Sequence, residues 1–255
     1  MNNISPKFSI ITVTYNAEQW LERTILSVLS QSYPNIEYII IDGKSKDKTL
    51  DIIRQYESGI TYWISEPDKG LYDAMNKGLQ NATGDYVWFL NAGDTLPSAD
   101  IIQLMVQKMS KLKNLPDVIY GETAIADKDG KIIGMRRLKA PRRLTWQKFR
   151  WGMLVCHQSF IARKAVADSY NLSYPLCADY DWCIRVLKAS KRVFNTRLTL
   201  SNFLEAGLSS QQRKASLKER YAIMCNYYGT FATMLMHLWF AVRFYYAKWV
   251  TKKVI

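Results

Sequence analysis

The segment VWFLNAGDT, residues 87–95, combines residue types that suit the binding of a metal ion and a phosphate group. Four apolar residues typical of a buried strand are followed by Asn91, Ala92, Gly93 and Asp94. A carboxylate at a strand end, with a glycine beside it that allows close approach, suits a divalent cation that bridges phosphate oxygens. Mg²⁺ typically takes only one or two protein carboxylates, so Asp94 alone can suffice. On chemistry alone, the segment predicts a nucleoside diphosphate site with a metal ion.

Two further acids lie close together in ADYDWCIRVLKA, residues 178–189. The pattern of this segment predicts a helix that carries Asp179 and Asp181 in its first turn. Acids at a helix start interact favourably with the helix dipole, so capping is by itself a sufficient reason for their presence.

The elements that must position Asn91 to Asp94 alternate between strand and helix patterns along the chain. Strand patterns, rich in β-branched and aromatic residues, cover residues 8–14, 36–42, 60–65 and 87–90. Helical patterns lie between them, at residues 20–29, 48–56 and 71–81. This alternation predicts an α/β protein with a mostly parallel sheet of the nucleotide-binding type, flanked by helices.

Polar residues follow each of these strand patterns. They are Thr14, Tyr15, Asn16, Asp42, Gly43, Glu66, Asp68, Asn91 and Asp94. Ligands of open α/β sheets collect outside the carboxyl ends of the strands, so we expect these residues to converge on one edge. The motifs GxGxxG and GxxxxGKS do not occur, so neither a Rossmann dinucleotide site nor a P-loop has support from the sequence.

The second half of the chain has a different pattern. After about residue 117 we expect a strand, a hairpin that turns at Asp129 and Gly130, the basic stretch MRRLKAPRRL, and a strand over HQSFIA. Residues 1–130 carry 12 Lys and Arg against 17 Asp and Glu, whereas residues 131–255 carry 23 against 5. This asymmetry indicates that the second half faces something anionic, such as a phosphate-bearing substrate, a lipid surface or nucleic acid. A solvated basic face is the simpler alternative.

The C-terminal tail, residues 211–255, is basic and rich in aromatic residues. Its apolar run is interrupted by His237 and Arg243, which argues against a transmembrane helix of about 20 apolar residues. Aromatic residues beside basic ones favour a helix that lies in the membrane interface, and a core-packing helix is the alternative.

The remaining composition predicts a cytoplasmic protein. The N-terminal sequence MNNISPKFSI lacks the pattern of an export signal. The four cysteines show no CxxC spacing, which favours buried thiols over zinc ligands or disulfides. Nucleic-acid binding is not expected either, because no recognised basic helix, zinc or RNA-binding motif occurs.

Several motifs in order resemble family 2 glycosyltransferases of the GT-A fold, in particular members that make bacterial surface polysaccharides. The resemblance is carried by ITVTYNAEQWLERTILSVLSQSYPNIEYIIIDGKSKDKT, EPDKGLYDAMNKGLQNATGDYVWFLNAGD, and CHQSFIARK followed by ADYDWCIRV. It extends to about residue 210. The implied organisation is a GT-A domain over residues 1–210 and a membrane-associating helical tail over 211–255. The nucleotide-sugar half would be 1–116 and the acceptor half 117–210.

The resemblance also implies roles for single residues around the donor. Asp42 would contact the base of the nucleotide, and the backbone around Thr14, Tyr15 and Asn16 would close over it. Asp94 matches the last acid of the DxD-type motif and would hold Mn²⁺ or Mg²⁺. Many relatives have aspartate at the positions of Asn91 and Gly93. The other donor-side candidates are Ala92, Asp73, Asn76 and Arg213, the last reaching the diphosphate from a loop.

On the acceptor side, Asp179 matches the catalytic base of the family, although Ala178 replaces the glutamate common before it, and Asp181 is the second candidate. His157 is predicted either to contact the acceptor or to have a structural role. The implied reaction is inverting transfer of a sugar from a nucleoside diphosphate sugar, expected to be a UDP-sugar, to a hydroxyl of a glycan or polyprenyl-diphosphate-linked acceptor. The enzyme would work at the inner face of the cell membrane. The alternatives are a sugar nucleotidyltransferase and a non-catalytic membrane-surface module.

Overall fold

The computed structural model describes residues 5–205 and 213–251, with side-chain environments in the second range given for residues 214–242. The first half contains β1 (Phe8–Thr14), α1 (Leu21–Leu29), β2 (Ile36–Asp42), α2 (Thr49–Gln55), β3 (Tyr62–Ser65), α3 (Leu71–Asn81), β4 (Tyr86–Phe89) and α4 (Ile101–Met109). The second half contains β5 (Val118–Ala126), β6 (Ile132–Met135), β7 (Phe160–Arg163), α5 (Ala178–Ala189), β8 (Val193–Leu204), α6 (Arg213–Tyr228) and α7 (Thr230–Thr251).

One mixed sheet of eight strands organises the molecule. Its strand order is β3-β2-β1-β4-β7-β5-β6, and β8 pairs with β5. The first four strands run parallel, as the alternating pattern predicts, whereas β7 is antiparallel to both β4 and β5. The predicted mostly parallel sheet with flanking helices is therefore confirmed.

The parallel strands are apolar on both faces because helices cover both sides of the sheet. Alternate residues of β4 pack into different clusters: Trp88 joins the cluster under α1 and α4, while Phe89 joins the cluster under α3 and α5. A strand buried on both faces reads as a continuous apolar run, which explains why residues 87–90 lack polar alternation.

The C-terminal half differs from the sequence prediction in two places. The hairpin turns at Asp129 and Gly130 as predicted, with Gly130 at a φ of +83°. In the segment HQSFIA, however, residues 157–159 form a short 3-10 turn, and only the strand β7 follows. The long strand β8 has no counterpart in the predicted elements, and its Asn202 forms a bridge with Thr95 in the segment after β4.

Helix α6 packs onto the core of the domain. Its Ile223 and Met224 are buried, and Glu219 accepts hydrogen bonds from the backbone N–H groups of Leu176 and Cys177 at the start of α5. Helix α7 continues the chain, and within the described residues no helix is long and apolar enough to cross a membrane. The tail thus begins with a helix that supports α5.

Glu37 of β2 ties β1 and the segment before β4 together at the end of the sheet opposite the candidate site. Its carboxylate accepts hydrogen bonds from Ser9, Thr83 and Lys7. Burial alone would raise the pKa of Glu37, but these hydrogen bonds outweigh it and lower the pKa to about 2.

We expect Glu37→Gln to lower the free energy of unfolding at neutral pH by about 2 kcal/mol. A depressed carboxyl pKa contributes stability that is complete above the unfolded pKa, and it is lost as the pH falls toward the folded value. Urea unfolding at pH 7 and near pH 2 measures this contribution. The difference between wild type and variant should shrink at the lower pH; an equal difference at both would contradict the assignment.

Candidate active site

The carboxyl ends of the parallel strands lie side by side at one edge of the sheet. Thr14 of β1 is in register with Asp42 of β2, and Asp42 is in register with Ser65 of β3. The end of β4 joins them, because the N–H of Ala92 donates to the carbonyl of Val13. The predicted convergence of the polar strand ends is therefore confirmed.

Asp42 is fully buried and holds the loop that follows it. Its carboxylate accepts from the Ser45 N–H at 2.9 Å and from the Ser65 hydroxyl at 2.6 Å. The Ser45 hydroxyl in turn accepts from the N–H of Asn16 at 2.8 Å, joining the loops after β1 and β2. These contacts give Asp42 a loop-organising role; its contact with a base stays a prediction.

Tyr15 is the side chain that these loops present to solvent. It is 60% exposed, and its ring lies beside Gly43. The hydroxyl of neighbouring Thr14 is buried without a described hydrogen-bond partner. Asp68 lies against the same glycine, where an added Cβ would be 2.4 Å from its Oδ2. The exposed planar ring of Tyr15 is suited to contact with a nucleotide base.

Asp94 is buried at the end of β4, with only 3% of its surface exposed. The N–H of Leu204, at the end of β8, donates to its carboxylate at 2.9 Å. Burial raises the pKa of Asp94 to about 7, against the opposing effects of Leu204, Gln158 and Arg23. A carboxylate that burial makes costly to ionise gains from a cation placed beside it.

Gly93 is required where it stands. Its φ is +101°, and an added Cβ would lie 2.6 Å from Leu204 and 3.5 Å from Trp20. Its N–H donates to the hydroxyl of Thr24, which itself donates to the carbonyl of Asp94. The positive φ would strain any L residue here, and a side chain would also displace the tip of Leu204, which gives a physical reason for the glycine in this chain.

The donor atoms at the end of β4 fit a divalent cation. Asn91 contributes a buried side-chain carbonyl oxygen that has no described hydrogen-bond partner. The N–H of Asp94 bonds to the backbone carbonyl of Asn91 at 3.0 Å, so the two residues form one tight turn. Within the described residues, no three His, Cys, Asp or Glu side chains gather around a single point. One carboxylate plus one amide oxygen suits Mg²⁺ or Mn²⁺ that also takes substrate phosphate.

Asp179 lies at the start of α5 and is half-buried. The Tyr72 hydroxyl donates to its carboxylate at 3.1 Å, and the Tyr180 N–H donates to the same oxygen at 2.8 Å. Both bonds engage one oxygen, Oδ1. Within the described residues, the other oxygen makes no hydrogen bond.

Asp181, the second acid of α5, is occupied by protein groups. Its carboxylate accepts from the Arg185 guanidinium at 2.8 Å and from the Tyr227 hydroxyl at 2.7 Å. It is buried, and its partner Tyr227 belongs to α6. These contacts give Asp181 the role of a link between α5 and α6.

Helix α3 connects the site to the segment before α5. Asn76 donates to the carbonyl of Tyr170 and accepts from the N–H of the same residue. Asp73 accepts from the N–H of Lys69 in the turn before the helix. The described hydrogen bonds of Asp73 and Asn76 are all to protein backbone, and their contact with the donor stays a prediction.

His157 is only 4% exposed and packs within an aromatic cluster. Its Nε2 shares a 2.7 Å hydrogen bond with the Tyr170 hydroxyl, and its ring contacts Phe89 and Trp182. Burial lowers the pKa of His157 to about 4, so the ring is neutral at pH 7. Of the two predicted roles, the structure supports the structural one.

Cys156, which the sequence analysis did not assign to the site, interacts electrostatically with its acids and with Arg136. Burial raises the pKa of the Cys156 thiol to about 11; the charge of Arg136 opposes this shift, and those of Asp94 and Asp179 add to it. Asp94, Asp179 and Arg136 are therefore each near enough to the Cys156 thiol for their charges to affect it. Arg213 opens α6, and its side chain is outside the described residues, so its contact with the diphosphate stays a prediction.

Known proteins similar in sequence are glycosyltransferases. Residues 9–170 match the family Glycosyl transferase family 2. An uncharacterized glycosyltransferase of Mycobacterium tuberculosis is 32% identical over 222 residues, which covers 84% of this chain and 80% of that protein. A PGL/p-HBAD biosynthesis glycosyltransferase of Mycobacterium bovis is 30% identical over 190 residues, covering 71% and 70%. TuaG of Bacillus subtilis, a putative teichuronic acid biosynthesis glycosyltransferase, is 44% identical over 97 residues, covering 37% and 38%.

Solved structures share the fold at low identity. TarS of S. aureus in complex with UDP-GlcNAc has a TM-score of 0.67 at 16% identity, covering 85% of this chain and 65% of that one. This chain thus spans less than two thirds of the TarS structure. The mannosyltransferase PcManGT of Pyrobaculum calidifontis, in complex with GDP-Man and Mn²⁺, has a TM-score of 0.63 at 16% identity, covering 92% and 71%. Together with the strand-end residues and the sequence motifs, these matches show that the chain belongs to glycosyltransferase family 2 and has the GT-A fold.

Proposed function

We propose that this glycosyltransferase moves a sugar, with inversion, from a UDP-sugar to a hydroxyl of a lipid-linked glycan during assembly of a bacterial surface polysaccharide. One observation carries the proposal: Asp179 keeps a carboxylate oxygen free of described hydrogen bonds, and its charge and that of the buried Asp94 both act on the Cys156 thiol. A carboxylate held by one oxygen is oriented and can still accept a proton with the other.

Asp179 is proposed as the general base. It removes the proton of the acceptor hydroxyl while that oxygen forms a bond to the anomeric carbon of the sugar. On the opposite face, the bond from this carbon to the diphosphate oxygen breaks, and the diphosphate takes the electron pair. Asp181 is less suited to this step because Arg185 and Tyr227 already occupy its carboxylate.

Asp94 and Asn91 are proposed to hold a divalent cation, and Tyr15 to contact the base of the nucleotide. When bound, the cation would stabilise the charge that develops on the leaving diphosphate. Asp94 is positioned for this by Leu204 and by the turn at Gly93, which fix its carboxylate before any ligand arrives. Such preorganisation saves the energy of reorientation during the reaction.

The surface-polymer part of the proposal is supported by the names of the relatives, since TuaG is described as a putative teichuronic acid biosynthesis enzyme. The choice of UDP is supported by the TarS complex with UDP-GlcNAc. Helix α7 supports a membrane-associated acceptor, because it exposes the apolar residues Phe231, Met234, Leu235, Leu238, Trp239 and Val242.

Release of UDP from a panel of UDP-sugars, with and without a bacterial membrane lipid extract, tests this function. We expect extract-dependent release with one donor, and a product whose anomeric configuration, read by NMR, is opposite to that of the donor. Retained configuration would contradict the proposal, and so would UDP release at the same rate with and without the extract for every donor.

Tyr72 is proposed to position Asp179. Tyr72→Phe keeps the ring stacked on Tyr170 and removes the hydroxyl, which donates to Asp179 at 3.1 Å and also lies 3.2 Å from the carbonyl of Leu176. Because the bond to Asp179 helps to orient the carboxylate toward the acceptor hydroxyl, its loss should slow proton removal without weakening donor binding. We expect kcat at neutral pH to fall by about 5-fold, with KM for the donor unchanged. An unchanged kcat, or a change in KM for the donor alone, would show that Tyr72 does not position Asp179.

A further inference from the structure

The hairpin formed by β5 and β6 projects apolar side chains into solvent. All four residues of β6 are exposed, and Ile132, Ile133 and Met135 are 46%, 54% and 51% exposed. Strand β6 also lies at the edge of the sheet. Exposed apolar residues on an edge strand are a liability in a protein that stays in water, so a partner of some kind is expected to cover them.

The chain beside this hairpin is strongly basic. Residues 131–153 contain eight Lys and Arg and no Asp or Glu. The exposed members include Arg137, Lys139 and Arg143, whose side chains make no ion pair or hydrogen bond within the described residues. Acids of the hairpin are bonded to its backbone: Asp127 accepts the N–H groups of Asp129 and Lys131 in the turn, and Glu122 accepts that of Ala140.

This basic segment runs from the hairpin past the candidate active site to the C-terminal helices. Arg136 donates to the carbonyl of Met153 at 2.7 Å, and its charge acts on Cys156 together with those of Asp94 and Asp179. At the far end, Trp146 stacks on Tyr228 just before α7. The segment therefore connects the site with the helix that carries the exposed apolar residues of the tail.

We propose that residues 131–151 are a second membrane-docking surface, in which β6 enters the headgroup region of an anionic bilayer and the adjacent Lys and Arg contact its phosphates. Apolar residues beside basic ones match a surface that is negative outside and apolar beneath. A second copy of this chain fits less well, since it would bring two basic segments together. The docking deepens the proposed function, on which it rests for the lipid-linked acceptor, and it would bring that acceptor to Asp179.

Cosedimentation of the full chain with phosphatidylcholine vesicles, with and without phosphatidylglycerol, tests the docking. The variant combines Arg137→Gln, Lys139→Gln and Arg143→Gln. We expect its partition coefficient for anionic vesicles to fall by about 10-fold or more, since each basic residue near such a surface contributes about 1 kcal/mol.

The control combines Lys111→Gln, Lys113→Gln and Lys191→Gln, which remove the same charge near the other end of β5. From the strand rise, that end lies roughly 26 Å from the hairpin. The control should bind anionic vesicles like wild type. Unchanged binding by the first variant, or an equal loss in both, would overturn the proposal by assigning the binding to the tail or to net charge.

Ile133→Ser with Met135→Ser tests the apolar contribution separately. We expect weaker vesicle binding with an unchanged circular dichroism spectrum. If the wild-type chain self-associates without vesicles and these substitutions abolish that self-association, the face would belong to a second copy and the proposal would be overturned. Calorimetric binding of UDP to wild type and to the same variants separates the docking proposal from the proposed function. If the proposed function fails, wild type will not bind UDP, whereas the vesicle results will be unchanged.

Discussion

Asp179→Asn is expected to lower kcat for sugar transfer by about 10³-fold, within the range that general-base catalysis contributes. The amide keeps the size of the carboxylate and can still accept the hydrogen bonds from Tyr72 and Tyr180, but it cannot take a proton from the acceptor hydroxyl. Donor binding, measured by calorimetry, should therefore be unchanged. Kinetics at saturating donor and acceptor provide the measurement.

Two control variants make this expectation specific. Asp168→Asn removes a largely exposed carboxylate whose partner is Arg185, and it should leave kcat unchanged. Asp181→Asn weakens a buried link between α5 and α6, so it should lower the melting temperature more than Asp179→Asn does. If Asp179→Asn retained wild-type kcat, or if Asp181→Asn alone removed activity in a folded protein, Asp179 would not be the base.

Asp94→Asn is expected to lower kcat/KM for the donor by about 100-fold, because a divalent cation at a transferring phosphate stabilises the transition state by several kcal/mol. Asparagine can still accept the N–H of Leu204, so the turn at Gly93 should keep its shape. The loss should appear as loss of stimulation by added Mn²⁺. A metal titration of activity after treatment with chelator measures this effect.

Asp100→Asn is the matched control for Asp94, since it removes an exposed carboxylate just before α4 whose one described side-chain hydrogen bond comes from the Ser98 hydroxyl. It should respond to Mn²⁺ like wild type. Equal activity of wild type and Asp94→Asn after chelation, with no response of either to Mn²⁺, would mean that transfer does not use a cation at this carboxylate.

The strand-end part of the site could be predicted from the sequence. Parallel strands joined by helices bring their carboxyl ends to one edge, so the polar residues after β1, β2 and β4 had to meet. The start of α5 was also predictable, because its apolar pattern and the two acids of its first turn lie within one segment.

The long-range contacts could not be predicted. Asp94 is held by Leu204, 110 positions further along the chain, and β8 carries no pattern that points to this pairing. Likewise, Tyr72 and Asp179 are 107 positions apart and meet because α3 and α5 pack on the same face of the sheet. A sequence read in short windows contains no signal for such contacts.

Burial is what separates residues that otherwise look alike. Asp179 and Asp181 stand in the same helical turn, yet only Asp181 faces Arg185 and Tyr227. His157 matches an acceptor-side segment in sequence but is enclosed by Phe89, Tyr170 and Trp182. The tertiary structure determines which side of a helix or turn faces the core. The sequence alone therefore does not distinguish the roles of Asp179, Asp181 and His157.

Calorimetric titration of the purified chain with UDP, GDP and dTDP, each with and without Mn²⁺, tests the central claim most directly. We predict Mn²⁺-dependent binding of UDP, much weaker binding of the other two nucleotides, and loss of the Mn²⁺ dependence in Asp94→Asn. Absence of binding by all three nucleotides to a protein shown to be folded would contradict a nucleoside diphosphate sugar donor.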